Sequence, residues 1–247
     1  MLHIHRAERA DGLAAALAQL LSQPLSDPLA TELVEAGRTM ENAHLRELFD
    51  RMVADEELWE GFCTAPAAKG MHHARVGGLL EHSVHCLRVA RTLAEIYPVD
   101  KDLLFFGVIF HDVGKTRELS WEGGSFAYTT EGRLLSHVVL GDRIVANHVA
   151  QVPGFSEELA LQLSHIMLSH QGEREYGSPE QPKTLEALLV NLVDNLDARA
   201  AMFLETTRNV APGGWSHHDN PLKRALYVPS EPAAEDGEEG DQKDAPG

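Results

Sequence analysis

Eight consecutive apolar residues, Leu103 to Phe110, run directly into His111 and Asp112, with Gly114 and Lys115 just beyond. An ionised carboxylate closing so apolar a segment is costly unless a cation or hydrogen bonds compensate it. Imidazole beside carboxylate is a donor pair for Mn, Fe, Co, Ni, Zn or Mg. A carboxylate shared by two ions also allows a bridging water to become hydroxide near neutral pH, placed for in-line attack on phosphorus.

Helical periodicity sorts the chain's fourteen histidines by face. After Gly78, the residues Glu81, His85, Arg88, Thr92 and Glu95 share a polar stripe, whereas His82 shares a face with Cys86, Val89 and Leu93. In RLLSHVVLGDRIVANHVA, His137 falls with Leu134, Val138, Gly141 and Val145. His148 lies on the same stripe, but about 16 Å further along the axis at 1.5 Å per residue, too far to share a site with His137. In EELALQLSHIMLSHQGE, His165 joins Glu158, Gln162 and Ser169 on the polar side, and His170 lies under Leu163, Ile166 and Met167. Asp194 occupies a stripe with Ala187, Val190, Asn191, Asp197, Ala198 and Ala201. Six inward candidates remain: His82, His111, Asp112, His137, His170 and Asp194. Each alone has a bland explanation as a hydrogen-bonded core residue. Together, one shared metal centre is more economical than six separate satisfactions. Lys115 has two readings, a helix-terminal countercharge worth a few tenths of a kcal/mol up to about one or a cation for a substrate phosphate.

The elements that must carry these residues read as helices. Asp11–Leu21 and Thr31–Glu60 are amphipathic, separated by a linker containing Pro24 and Pro28. The loop TAPAAKGMHHARVGG leads into a helical core from Leu79 to about Leu204, interrupted at VPGFS and YGSPEQP. WEGGSFAYTTEG is a loop or at most a small hairpin. The apolar run LLFFGVIF reads as helix because Asp100 is a good N-cap, Leu and Phe outnumber β-branched residues, and Gly114 suits the position just past a helix end. The expected fold class is all-α, with a helical N-terminal extension over 1–60, a helical bundle carrying the six candidates over 61–228 and a disordered acidic tail over 229–247.

Composition constrains the partners. The formal net charge is −17; the tail from Pro229 contributes −6, with seven acids against Lys243, leaving −11 elsewhere. So acidic a chain binds polyanions poorly without a local basic patch or a metal. Cys63 and Cys86 lie far apart with no CxxC pattern, indicating neither a disulfide framework nor a cysteine zinc site. The run LAAALAQLL is too short to span a membrane and, with Glu8 and Asp11 ahead of it, lacks a clean basic leader, so a cytoplasmic protein without a membrane partner is expected. The Thr31–Glu60 helices leave a homo-oligomer open.

A histidine on one helix, HDVGK at the end of another and an aspartate on a late helix resemble the signature of the HD-domain metal-dependent phosphohydrolases. By that resemblance His82, His111, Asp112 and Asp194 hold one divalent ion. His137 and His170 complete a second site that Asp112 bridges. The segments FCTAPAAKGMHHARVGGLLEHS, FHDVGKTRELSW, YTTEGRLLSHVVLGD, LSHQGEREYGSPEQPKTLEAL and DNLDA resemble the YhaM-type 3′–5′ exoribonuclease group. This implies a phosphodiesterase acting on single-stranded RNA or DNA from the 3′ end through a metal-bridging hydroxide, with one or two ions, Mn or Co favoured. It also makes Lys115, His72, His73, Arg75 and Lys183 candidates for holding phosphates. Two features depart from that group. The forty or so residues ahead of the matching region are too few for the five-stranded OB-fold module relatives carry there, and Gln171 stands where relatives often have a second histidine. Rival expectations are an HD phosphohydrolase for a small nucleotide, a di-iron oxygen-activating protein and a non-catalytic metal-binding scaffold or sensor.

Overall fold

The computed structural model describes residues 27–68, 75–122 and 125–230. The sequence-predicted helix over Asp11–Leu21 and the acidic tail beyond Ser230 lie outside these residues, as do His72 and His73. The chain divides into two units, Met1–Ala201 and Met202–Gly247.

The first unit is built from helices, as its periodicity predicts. α1 (Pro28–Arg38), α2 (Ala43–Ala54) and α3 (Glu56–Thr64) begin at Asp27, Asn42 and Asp55, whose side chains accept the first free backbone N–H groups. α4 (Gly78–Ile96) and α5 (Lys101–Phe110) follow, the latter capped by Asp100 through the backbone N–H of Leu103. The short α6 (Lys115–Glu118) leads into an antiparallel hairpin of β1 (Leu119–Glu122) and β2 (Ser125–Tyr128), registered with Leu119 opposite Tyr128. α7 (Thr130–Val149) starts at a Thr129 cap, α8 (Glu157–Ser169) at a Ser156 cap, and α9 (Leu185–Thr207), of which the residues up to Ala201 belong to this unit, closes the series. The helical class is therefore as expected, and the glycine-rich segment is the small hairpin allowed for it.

α5 is the hub. Leu103, Leu104 and Phe106–Phe110 are all buried, each large side chain contributing roughly 1.5–3 kcal/mol by leaving water. Phe110 meets Phe49 of α2 (ring centroids 5.5 Å), Phe62 of α3 (5.7 Å) and Phe106 (5.0 Å), so α1–α3 share the core with the histidine-bearing helices. Gly107 lets α8 and α9 close onto α5, since a Cβ there would lie 2.9 Å from Val190 and 3.1 Å from Ile166. Gly114 has a different role from the one its position suggested. Its φ is −62°, ordinary helical geometry rather than the left-handed turn of a helix end. What demands glycine is contact: a Cβ would stand 2.0 Å from the His137 carbonyl oxygen and 2.6 Å from the Gly141 nitrogen. The turn after Asp112 is thus pressed against the backbone of α7.

In the second unit, Trp215 and Tyr227 form an isolated antiparallel bridge, with rings 5.0 Å apart. Backbone bonds from Gly213 to Val228 and from Ser216 to Leu226 flank it. Among the described residues, no helix is long and apolar enough to cross a membrane.

Candidate metal centre

The six inward candidates come together, and they do so around Asp112. On its Oδ2 side stand His82 Nε2 (3.8 Å), His111 Nε2 (3.5 Å) and Lys115 Nζ (2.5 Å). Asp194 Oδ1 completes this cluster, 3.3 Å from His82 Nε2 and 3.8 Å from His111 Nε2. On its Oδ1 side stand His137 Nε2 (3.4 Å) and His170 Nε2 (3.5 Å). One ligand atom from each of His82, His111, Asp112 and Asp194 fits within 4.8 Å of the others, and the same holds for Asp112, His137 and His170. Asp112 belongs to both groups.

Every one of the four imidazoles is oriented through its other nitrogen. His111 and His170 are the residues immediately past α5 and α8, and their Nδ1–H groups donate back to the last-turn carbonyls of Val108 (3.0 Å) and Met167 (2.8 Å). One bond thus satisfies an orphan helix-end acceptor and fixes the tautomer. His82 Nδ1 donates to Asp197 Oδ2 (2.7 Å), and His137 Nδ1 donates to Glu118 Oε1 (3.1 Å). With all four Nδ1 atoms engaged this way, the Nε2 atoms face Asp112 and Asp194. Outer carboxylates and carbonyls that hold a histidine's far nitrogen are the usual support of a metal-ligating imidazole.

The donor set fits a divalent cation. His82 Nε2 and His111 Nε2 approach to 3.2 Å with carboxylate oxygens on either side, an arrangement that calls for positive charge between them, protons in the metal-free chain or a divalent ion in their place. Asp112 Oδ1 is fully buried and receives no hydrogen bond, a cost of about 1–3 kcal/mol or more for a charged acceptor unless an ion meets it. Electrostatics agree. Burial alone would raise the Asp112 carboxyl, yet Lys115 and His111 hold it well below the usual carboxylate range. Asp194 behaves likewise, burial opposed by hydrogen bonds from His111 and His82. Burial works against a charge on Lys115, but Asp112 and Asp194 raise its affinity for the proton, so the ammonium persists.

His137 reaches the centre through a break in α7. Ser136 has φ 59° and ψ 160°, so the helix is kinked there and the His137 N–H leaves the helical ladder. Glu118 Oε1 takes it at 2.8 Å, besides the ring Nδ1, and holds His137 at two points. The kink corrects one expectation: Leu134, placed on His137's face by regular spacing, is 77% exposed.

The remaining candidates lie elsewhere. Arg75 pairs with Glu81, and Lys183 with Glu180, all on exposed or half-exposed surface; among the described contacts neither touches the six. His148 is buried against the Ile144 carbonyl and Asp55, away from the centre. His165 accepts the Lys183 backbone N–H. Spacing did not single out Asp197, although it shares Asp194's stripe, and Glu118 gave no periodic signal, lying in a four-residue helix before the hairpin. His85, read as facing solvent, is half-buried and bonds Asp197 Oδ1 at 3.0 Å, on the carboxylate that orients His82.

The HD-domain family model matches residues 79–199, a span holding all six candidates. A 3′–5′ exoribonuclease YhaM of Shouchella clausii is 38% identical over 191 residues, 76% of this chain and 59% of the relative. Its counterpart from Bacillus subtilis is 37% identical, covering 77% and 60%. That of Listeria innocua is 34% identical over 229 residues, covering 92% and 72%. The chain spans about 60% of the length of the first two. No solved structure matches the chain significantly. With identity sustained over most of its residues and the HD pair at the heart of the histidine–aspartate centre, the chain belongs to the HD-domain superfamily, among its YhaM-like members.

Proposed function

We propose that the chain is a metal-dependent phosphohydrolase that cleaves phosphodiesters in single-stranded nucleic acid from the 3′ end. The observation that carries this reading is Asp112, a buried carboxylate whose two oxygens face two separate imidazole groups, with one oxygen lacking any hydrogen-bond donor. His82, His111, Asp112 and Asp194 would hold one divalent ion, and Asp112, His137 and His170 a second. Such ions lower the pKa of a coordinated water and neutralise charge on phosphoryl oxygens. The residues around them supply orientation and a proton-bearing cation. Lys115, protonated and 13% exposed beside Asp112, offers its ammonium to a phosphoryl oxygen as negative charge grows there in the transition state. Outer bonds from Asp197, Glu118 and the two helix-end carbonyls keep the imidazoles from turning, so little reorganisation accompanies the reaction. Mn is the ion to try first.

The substrate assignment rests on the relatives' names and on HDVGK with its partner residues, while the net charge of −17 favours a second reading, a small nucleotide substrate. A time course with Mn²⁺ and 5′-labelled single-stranded RNA separates the two. A ladder shortening from the 3′ end, absent without metal and in Asp112→Asn, is expected. An intact oligomer beside phosphate release from a mononucleotide would replace the exonuclease with the second reading. Full activity in Asp112→Asn would remove the mechanism altogether.

A further inference from the structure

Gln171 is the next residue after His170, and its carboxamide nitrogen lies 3.3 Å from His137 Nε2 and 3.2 Å from His170 Nε2. Both imidazoles spend their Nδ1 proton elsewhere, on Glu118 and on the Met167 carbonyl, so both Nε2 atoms are acceptors. A primary amide has two N–H donors, one for each. The two lone pairs that would bind the second ion are therefore those to which Gln171 donates. The backbone fixes this placement: Gly172 turns at φ 79°, its N–H bonds the Ser169 carbonyl at 2.8 Å, and Asn191 Nδ2 holds the His170 carbonyl at 2.7 Å. The other group differs in kind. It contains two carboxylates, Asp112 and Asp194, and among the described contacts the amide of Gln171 bonds none of its members.

We propose that Gln171 makes the two cation positions unequal: its amide competes with the ion for His137 and His170, so the second position fills weakly and reversibly while the first fills tightly. This inference rests on the metal-binding reading above. Filling the second position costs both amide hydrogen bonds, and the incoming ion gains only a shared carboxylate and neutral imidazoles. The position would thus respond to free metal concentration where the first does not.

Calorimetric titration of the full chain with Mn²⁺ tests this, against Gln171→Leu, which keeps the volume and removes the donors, and Gln171→Ala as a second variant. Melting curves of the metal-free chains serve as the check on folding. The wild type is expected to bind in two steps, and either variant to tighten the weak step about tenfold or more with the tight step unchanged, the order expected for two modest hydrogen bonds. A weak step that loosens in both variants would make Gln171 a ligand through its carbonyl oxygen and overturn the proposal. An unchanged weak step, or two equal steps in the wild type, would overturn it too while leaving the metal-binding reading standing. No binding at all would sink that reading first. His111→Ala, which removes a member of the first group alone, identifies the step: the tight one should disappear.

Discussion

Glu118 is the most exacting test of how the centre is held. Its Oε1 accepts two hydrogen bonds from one residue, the main-chain N–H of His137 at 2.8 Å and the ring Nδ1 at 3.1 Å. The first replaces the helical bond lost at the Ser136 kink. Bonds to a charged acceptor are worth about 1.5–3 kcal/mol each. Because both converge on one oxygen they are not additive, and truncation also relieves the cost of burying the carboxylate. Glu118→Ala should therefore destabilise the fold by about 2–3 kcal/mol in urea denaturation. Glu118→Gln keeps a carbonyl oxygen where both bonds converge and removes only the charge, so about 1 kcal/mol is expected. The same ranking should appear in the weaker metal-binding step, where loss of a carboxylate that orients a ligating histidine costs 10–100-fold in affinity. An alanine variant as stable as the parent, or equal losses for Ala and Gln, would refute the claim that one oxygen pins His137 at two points.

Two further outcomes follow from the same geometry. Gly114→Ala places a methyl 2.0 Å from the His137 carbonyl oxygen, against backbone that no side-chain rotation can clear. A loss of about 3 kcal/mol or more in urea denaturation is expected, and an alanine chain within 1 kcal/mol of the parent, on the same ~1–3 scale, would show that α7 is free to move. Asp194 is held well below its ordinary value of 3.8 by His111 and His82 in spite of burial. A depressed folded-state pKa contributes stability that is complete above the unfolded value and lost as pH falls through the folded one. The stability gap between the metal-free parent and Asp194→Asn should therefore be full near neutrality and shrink once pH drops below about 4. A gap that stays constant through that window would count against the ion-pair account.

Much of the fold is legible because its helices are regular and well capped. Asp100 before an apolar run announces α5, and His82, His170 and Asp194 stand on the faces that simple periodicity assigns them. Periodicity fails at α7 for a physical reason. Ser136 leaves helical geometry, so residues before it lose their phase with His137, and Leu134 turns to solvent. His137 nonetheless faces inward because Glu118, brought close by the hairpin, captures its N–H and its ring. Gly114 shows a different limit. Sequence marks a glycine as permissive of backbone angles, yet here it is a place where two backbones touch, which depends on the partner α7 rather than on the local chain.

The inward residues and those that hold them differ in how visible they are. A histidine or aspartate on an apolar stripe is an anomaly that a burial argument can detect, because leaving it unpaired costs free energy. Glu118, Asp197 and Gln171 sit at a short helix before a turn, on a mixed face and just past a helix end, where polar residues are commonplace. Only their distances to His137, His82 and His170 distinguish them from surface. On the metal-binding reading these three groups would decide how the imidazoles meet an ion: two carboxylates hold the far nitrogens of His82 and His137, and one amide lies against the Nε2 atoms that the second position would need. A substitution at Gln171 should thus alter the occupancy of the second position while leaving the orientation of His137 and His170, set at their far nitrogens, intact. That separation of orientation from competition is what the leucine variant isolates.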